Sequence, residues 1–323
     1  MGERLLEVID LKTCFFDRDK VIKAVDGVSF YLNEGETLSV VGESGCGKSM
    51  TCLSILRVLP PGAKIVGGKV IFKGKDILAM NDEEMRKLRG KEISLILQDP
   101  MASLDPVFPI HDQVSEAFTA HFKIKKTELI PKVIHALKVV QIAAPEERIK
   151  DYPHQFSGGM QQRIVGAIAM SCQPSLLIAD EPTTSLDVTT QMQYLDLLRS
   201  LQNQYGISII FVTHDFGIVA AMSHRIAVMY AGKIVESAST RDIFHHPAHR
   251  YTSALLRSVP RLEVETDRLS LIPGQPPKLD SQFIGCRFAP RCTWYDDKCT
   301  GEEPPLVQMG DNHYVACWHP EGR

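Results

Sequence analysis

Residues Gly42-Glu-Ser-Gly-Cys-Gly-Lys48-Ser49 carry the residue types and spacing of a loop that cradles phosphate. Gly42, Gly45 and Gly47 let the backbone curl so that successive N–H groups face a β-phosphate. Lys48 supplies a point charge to β- and γ-phosphates, and the Ser49 hydroxyl is suited to ligate Mg²⁺. The candidate nucleotide contacts here are Gly42, Ser44, Gly45, Cys46, Gly47, Lys48, Ser49 and Met50. A second constellation is Leu176-Leu-Ile-Ala-Asp180-Glu181-Pro, an apolar run ending in two carboxylates. Asp180 suits a Mg²⁺ shell, and Glu181 suits a general base acting on water. Taken alone, an apolar strand followed by Asp-Glu is commonly only a solvated strand end. A third constellation is Cys286, Cys292, Cys299 and Cys317, with gaps of five, six and seventeen residues. Four thiolates satisfy either a 4Fe–4S cluster or tetrahedral Zn²⁺, and His313 or His319 could replace one of them. Structural zinc sites usually contain a close C-x₂₋₄-C pair, which this segment lacks.

These residues need particular elements to hold them. Thr37 to Val41 is a compact β-rich run ending at Gly42, and Cys52, Ile55, Leu56 and Leu59 have helical spacing up to Pro60-Pro61. The phosphate loop therefore follows a strand and opens a helix, whose N-terminal dipole end favours an anion. A chance glycine-rich turn would not be flanked in this way. Short strands are expected across residues 5–41. Helices are expected at Glu83 to Leu88, Gln113 to Phe122 and Thr127 to Val140. Alternation of helix and strand then returns. Helix is expected near Met160–Cys172, strand at Leu176–Ala179, helix near Gln191–Tyr205 and strand at Ile207–Val212. After Ser258 prolines and turn residues dominate, and little regular structure is expected.

The whole chain sets outer limits. Its 323 residues allow a large domain with an appendage. The formal net charge of −3 argues against nucleic acid as a partner. No apolar stretch approaches the roughly 20 residues needed to cross a bilayer, and Met1 to Glu7 carries no secretory pattern, so a cytosolic protein is expected. Cys14, Cys46, Cys52 and Cys172 sit among apolar or glycine-rich neighbours, as small thiols in a reducing compartment do.

Phe156-Ser157-Gly158-Gly159-Met160-Gln161 resembles the signature motif of ABC ATPases. Other motifs of that family follow in order: Gln98 in Leu95-Ile-Leu-Gln98-Asp-Pro, Ser185-Leu-Asp187, and Thr213-His214-Asp215. Together they span residues 5–240. The resemblance implies an α/β fold: a P-loop ABC ATPase core with an N-terminal antiparallel β subdomain, a helical insertion and an irregular Cys-rich C-terminal extension. We place the ATPase domain at 1–258, the insertion at about 99–172 and the extension at 259–323. The resemblance also implies roles. Ser157, Gly158 and Gly159 would close over the γ-phosphate held by another ATPase subunit, and Asp187 would cross that interface. His214 would contact the γ-phosphate and orient Glu181. Gln98 would touch Mg²⁺ and sense a membrane partner. An aromatic would stack on adenine; Phe15 fits the family spacing, with Phe16 the alternative.

Gln98-Asp-Pro-Met-Ala-Ser-Leu-Asp-Pro, His249-Arg-Tyr-Thr-Ser-Ala-Leu-Leu256 and Gly285-Cys-Arg-Phe-Ala-Pro-Arg-Cys292 resemble the dipeptide/oligopeptide importer ATPases more narrowly. Arg250 departs from that pattern, which usually has proline there. The narrower resemblance implies peripheral attachment at the cytoplasmic side of the membrane. It implies two transmembrane permease subunits, a homologous ATPase subunit and, indirectly, an extracytoplasmic peptide-binding protein. It also implies a 4Fe–4S cluster on the four C-terminal cysteines, with Zn²⁺ the alternative. Import of nickel or another small solute is the competing transport reading. A soluble non-transport ABC ATPase would be expected to carry two cassettes, long heptads or a basic face. An iron–sulfur sensor with a degenerate nucleotide domain conflicts with intact Lys48, Asp180, Glu181 and His214.

Overall fold

The computed structural model describes residues 3–17, 20–259, 272–280 and 283–322. In chain order the strands and helices begin with β1 (Arg4–Asp17), β2 (Lys20–Asn33), β3 (Thr37–Val41), α1 (Lys48–Leu56), β4 (Ala63–Phe72) and β5 (Lys75–Asp76). Then come α2 (Asp82–Leu88), β6 (Ile93–Ile96), α3 (Pro100–Ser103), α4 (Ile110–Thr119), α5 (Lys126–Val139), α6 (Pro145–Arg148) and α7 (Gly158–Met170). Next are β7 (Leu176–Asp180), α8 (Val188–Tyr205), β8 (Ser208–Thr213), α9 (Phe216–Met222), β9 (Arg225–Tyr230) and β10 (Lys233–Ser239). The last are α10 (Thr240–His245), α11 (Arg250–Ser258), α12 (Asp297–Gly301), β11 (Val307–Gly310) and β12 (His313–Val315). The chain forms two compact units. One comprises 4–32, 37–78 and 212–323; the other is built mainly from 79–211, with the turn at 33–36.

In the first unit, β1 and β4 pair antiparallel, with Leu6 opposite Phe72 and Val8 opposite Val70. All four side chains are buried, so the period-2 alternation fixes the register. The pairing slips between Ile9 and Lys12, beside Asp10 at φ 48°. A Cβ on Gly68 would lie 2.5 Å from the Asp10 carbonyl oxygen, so glycine is required where the strands crowd. β5 continues this sheet antiparallel to β4, and β2 flanks β1. A second sheet runs β11-β12-β10-β9-β3. β3 and β9 are parallel and fully buried; β9 is apolar from Ile226 to Met229, whereas β3 buries Thr37 and Ser39 along with Leu38, Val40 and Val41. The expectation of little regular structure after Ser258 is corrected here. β12 pairs antiparallel with β10 through Glu236–Val315 and Ser237–Tyr314. Three residues with little apolar periodicity become a strand because β10 offers them its unpaired edge.

In the second unit, β6 and β7 are parallel, and β7 lies between β6 and β8. β7 is buried along its whole length, so its last residue, Asp180, is delivered at the strand's C-terminal end. Helices α3, α4 and α5 pack on α7, which is therefore the central helix of the insertion. Among the described residues, no helix is long and apolar enough to cross a membrane.

Candidate nucleotide site and cysteine cluster

The phosphate loop belongs to the first unit. Gly42 passes so close to β9 that a Cβ would sit 2.1 Å from the Met229 carbonyl oxygen. At Gly47 (φ 108°) a Cβ would sit 2.2 Å from the Ala24 carbonyl oxygen. These two glycines are thus required by close approach as well as by phosphate chemistry. Gly47 caps α1 without any side-chain hydrogen bond, so the helix start presents backbone N–H groups. Lys48 is buried, and its Nζ donates to the carbonyls of Gly42 (2.8 Å) and Glu43 (3.1 Å). Ser44, Gly45 and Ser49 are exposed on the loop. Cys46 differs: its side chain is turned inward, and burial holds its thiol pKa above the ordinary value. Only its backbone is available to a nucleotide. His214, exposed after β8, precedes the cap of α9, where Asp215 accepts from the Gly217 N–H at 2.7 Å. On β1, Phe15 is partly buried, whereas Phe16 is exposed with Lys64 Nζ 5.9 Å from its ring centroid.

The second unit holds the acidic pair and the signature residues. Asp180 is buried, and Glu181 follows in the left-handed region at φ 45°. That conformation is unfavourable for a residue with a Cβ and is typical of functional sites. Glu181 Oε2 accepts from Gln98 Nε2 (3.3 Å) and Thr184 Oγ1 (3.1 Å). Two residues 83 positions apart, both assigned to the site from sequence, are therefore brought together. Ser157 caps α7, its Oγ accepting the Met160 N–H at 3.4 Å. Buried Gln161 fixes the approach to that helix by donating to the Pro153 (2.8 Å) and Phe156 (3.2 Å) carbonyls. Gly158 faces open space, but a Cβ on Gly159 would meet Thr190 Cγ2 at 2.4 Å. Thr190 is in turn held by Asp187, whose oxygens accept its N–H (3.0 Å) and Oγ1–H (2.7 Å). These bonds, led by the backbone N–H, hold the Asp187 carboxyl below its usual pKa. Asp187 and Gly159 thus share one anchor on α8. Sequence reasoning missed this link, because the spacing of two residues 28 positions apart carries no sign of contact.

None of the eight cysteines is joined in a disulfide. The four C-terminal ones lie in the first unit, and Cys286 and Cys292 pack against its core. The Cys286 N–H donates to the Cys299 carbonyl at 2.7 Å, and the Trp294 N–H to Cys292 Sγ at 3.4 Å. Burial pushes the Cys286 thiol up to about 11, with Cys317 and Cys299 near enough to raise it further. Cys317 is also raised, first by burial and then by Cys292 among others. The four thiols therefore share one neighbourhood. Among the described residues, the group of three metal-ligating side chains whose ligand atoms all lie within 4.8 Å of one another is Asp296, Cys299 and His319.

The matches to known proteins agree with this architecture. The model of the ABC transporter family matches residues 25–184, and that of the oligopeptide/dipeptide transporter C-terminal region matches 235–299. The probable peptide ABC transporter ATP-binding protein y4tR of Sinorhizobium fredii is 48% identical, over 98% of this chain and 95% of its own. The dipeptide transport ATP-binding protein DppD of Bacillus subtilis is 48% identical over 99% of this chain and 96% of its own. This chain belongs to the ATP-binding proteins of ABC transporters. As a member of that family it is an ATPase coupled to transport. Among solved structures, the dimeric ATP-binding cassette MJ0796 bound to ADP and Pi superimposes with a TM-score of 0.66 at 25% identity. That match covers 73% of this chain and 99% of the other. CbiO1 of Clostridium perfringens, part of the transporter complex cbiONQ, gives a TM-score of 0.65 at 26% identity, over 76% of this chain and 92% of its own. The α/β ABC ATPase fold expected from the motifs is the fold observed.

Proposed function

We propose that this ATPase drives import of dipeptides or short oligopeptides. The observation that carries the reading is the near-complete alignment, at 48% identity, with a protein named as a dipeptide transport ATP-binding protein. A 45% identical Bacillus subtilis relative named for oligopeptide transport points the same way. In this reading the ATPase domain is 1–258 and the Cys-rich extension is 259–323. Lys48 and the loop N–H groups hold the β- and γ-phosphates. Ser49, Asp180 and Gln98 hold Mg²⁺, which supplies charge neutralisation on the phosphates when bound. Glu181 takes a proton from the attacking water, and His214 keeps that water and carboxylate aligned. The carboxylate is already oriented by Gln98 and Thr184, so little reorganisation is needed. Ser157, Gly158 and Gly159 act on nucleotide bound by a second ATPase subunit, consistent with the dimer seen for MJ0796.

Two transmembrane permeases complete the assembly, which places the chain peripherally on the cytoplasmic side. A groove of about 480 Å³ in the second unit supports this, lined by Leu95, Leu97, Ser103, Gln113, Glu116 and Val165 among others. Met101, Val107 and Phe108 are exposed on its neighbouring segment and suit a short apolar helix of a permease.

The four cysteines hold a 4Fe–4S cluster in this reading. Tetrahedral zinc would bring thiolate sulfurs to roughly 3.8 Å of one another, from Zn–S bonds of about 2.3 Å. Among the described residues the group of three ligand atoms within 4.8 Å of one another is Asp296, Cys299 and His319, not three cysteine sulfurs. When bound, the cluster supplies cross-linking of a proline-rich segment. The deciding experiment reconstitutes the chain with its permeases and partner ATPase in vesicles. Peptide-dependent ATP hydrolysis that disappears in Glu181→Gln while ATP binding persists is expected. Hydrolysis stimulated by nickel and not by peptide would overturn the peptide assignment.

A further inference from the structure

Two arginines stand at the ends of the segment between the first two C-terminal cysteines; Arg291 pairs directly with Glu43 of the phosphate loop, and Arg287 with the residues that back it. Arg291 is buried and forks onto Glu43, with Nη1–Oε2 at 2.6 Å and Nη2–Oε1 at 3.0 Å. Its Nε donates to the Pro273 carbonyl (2.9 Å) and its Nη1 to Tyr230 Oη (3.3 Å), so the fork is held from behind. Glu43 is the second residue of the loop; its N–H donates to Tyr251 Oη at 2.9 Å, and its carbonyl accepts from Lys48. Arg287, also buried, donates to the Ala231 carbonyl and pairs with Asp26. The Asp26 N–H donates to Gly232, and the Gly232 N–H to the Cys46 carbonyl at 2.8 Å. Arg287 thus braces the far end of the same loop. Between the arginines, Phe288 packs edge-on to Tyr230 (5.4 Å between centroids) and tilted on Tyr251 (5.4 Å). The 3₁₀ turn Ala289–Arg291 fixes the spacing of the two grips.

We propose that the Cys286–Cys292 segment is a clamp on the phosphate loop, in which Arg291 is a positioning residue that neutralises Glu43 and so sets nucleotide affinity. Glu43 would otherwise place a carboxylate beside a polyanion. A bidentate guanidinium, largely shielded from water, cancels that charge and fixes the loop's entry. This inference rests on the assignment of Gly42–Ser49 as the ATP site.

The test measures the dissociation constant for a fluorescent ATP analogue with the full chain. Arg291→Met should weaken binding about tenfold, the size expected for one uncompensated partly buried charge. The double variant Arg291→Met/Glu43→Gln should bind within about threefold of the parent, because the repelling charge is gone. A purely structural arginine predicts no such rescue. Arg291→Lys should fall between, since it keeps the charge and loses the fork, and it decides the matter should Arg291→Met not fold. Parent affinity in Arg291→Lys and Arg291→Met, or a double variant as weak as the single, overturns the clamp. Lys48→Ala separates the two levels: binding unaffected by Lys48→Ala overturns the ATP-site assignment, and with it the clamp.

Discussion

Gly158 and Gly159 stand side by side in the signature motif, yet alanine at each should act differently. At Gly159 the new Cβ would lie 2.4 Å from Thr190 Cγ2, against an ordinary carbon–carbon contact of about 3.5–4.0 Å. More than an ångström must be found. Rotating Thr190 would break its 2.7 Å bond to Asp187, a loss of roughly 1 kcal/mol. Moving α7 off α8 instead would cost about 1–3 kcal/mol. Exchange of glycine for alanine in a helix returns roughly 0.5–1 kcal/mol. The net expectation for Gly159→Ala is a destabilisation of about 1–2 kcal/mol, or a midpoint lowered by about 1.5–3 °C for a chain of this length. Gly158 has nothing within 4 Å, so Gly158→Ala should keep the parent midpoint or gain slightly. Its cost should instead fall on ATP hydrolysis in the assembled transporter, where the added methyl stands on the exposed helix start that meets phosphate. Thermal unfolding followed by circular dichroism, with hydrolysis measured on the same preparations, separates the two. Equal midpoints for the two variants, or a larger loss in Gly158→Ala, would refute the close-contact reasoning.

Gln98→Ala should slow hydrolysis about tenfold or more, because it removes an orienting donor to Glu181 and a proposed Mg²⁺ ligand; parent turnover in the assembled complex would contradict this. Anaerobically purified protein should be brown with about four irons per chain, and Cys292→Ser should be colourless; stoichiometric zinc without iron would defeat the cluster. Cysteines placed at Met101 or Val107 should cross-link to a permease in the assembled complex, and labelling of soluble proteins alone would count against the groove. The pKa of His313 is raised, first by its 2.7 Å bond to buried Glu236. A raised folded value means that this pairing stabilises most below the unfolded value near 6.5 and is lost as pH rises through the folded value. Intrinsic-rate-corrected hydrogen exchange at Val315 and Ala316 should therefore quicken between about pH 6 and about pH 8.5, and His313→Gln should abolish that difference.

The chemistry-bearing residues of this protein were legible from sequence because phosphate recognition is local. Glycines, a lysine and a hydroxyl must occupy fixed positions along one turn, so Gly42 to Ser49 announces itself without a fold. The strands that carry it were equally readable: β7 is apolar up to Asp180, and β3 is a short β-rich run in which Thr37 and Ser39 alternate with Leu38 and Val40. The start of α8 was less so, since capping geometry rather than periodicity set it. Asp187 caps α8, and the helix starts at Val188, three residues before the first residue expected.

What sequence could not supply were relations between distant positions. The pairing of Arg291 with Glu43 spans 248 residues and no periodicity marks it; it exists because Phe288 and two tyrosines bring the cysteine segment onto one core. The inward turn of Cys46, whose Sγ would lie 2.9 Å from a Cβ on Gly42, is revealed only by packing. Likewise β12, three residues in a proline-rich tail, becomes a strand only because β10 presents hydrogen-bonding groups that a short partner can satisfy. Local chemistry is written in residue type and spacing, whereas the charge balance and bracing of that chemistry depend on which remote side chains the fold buries together.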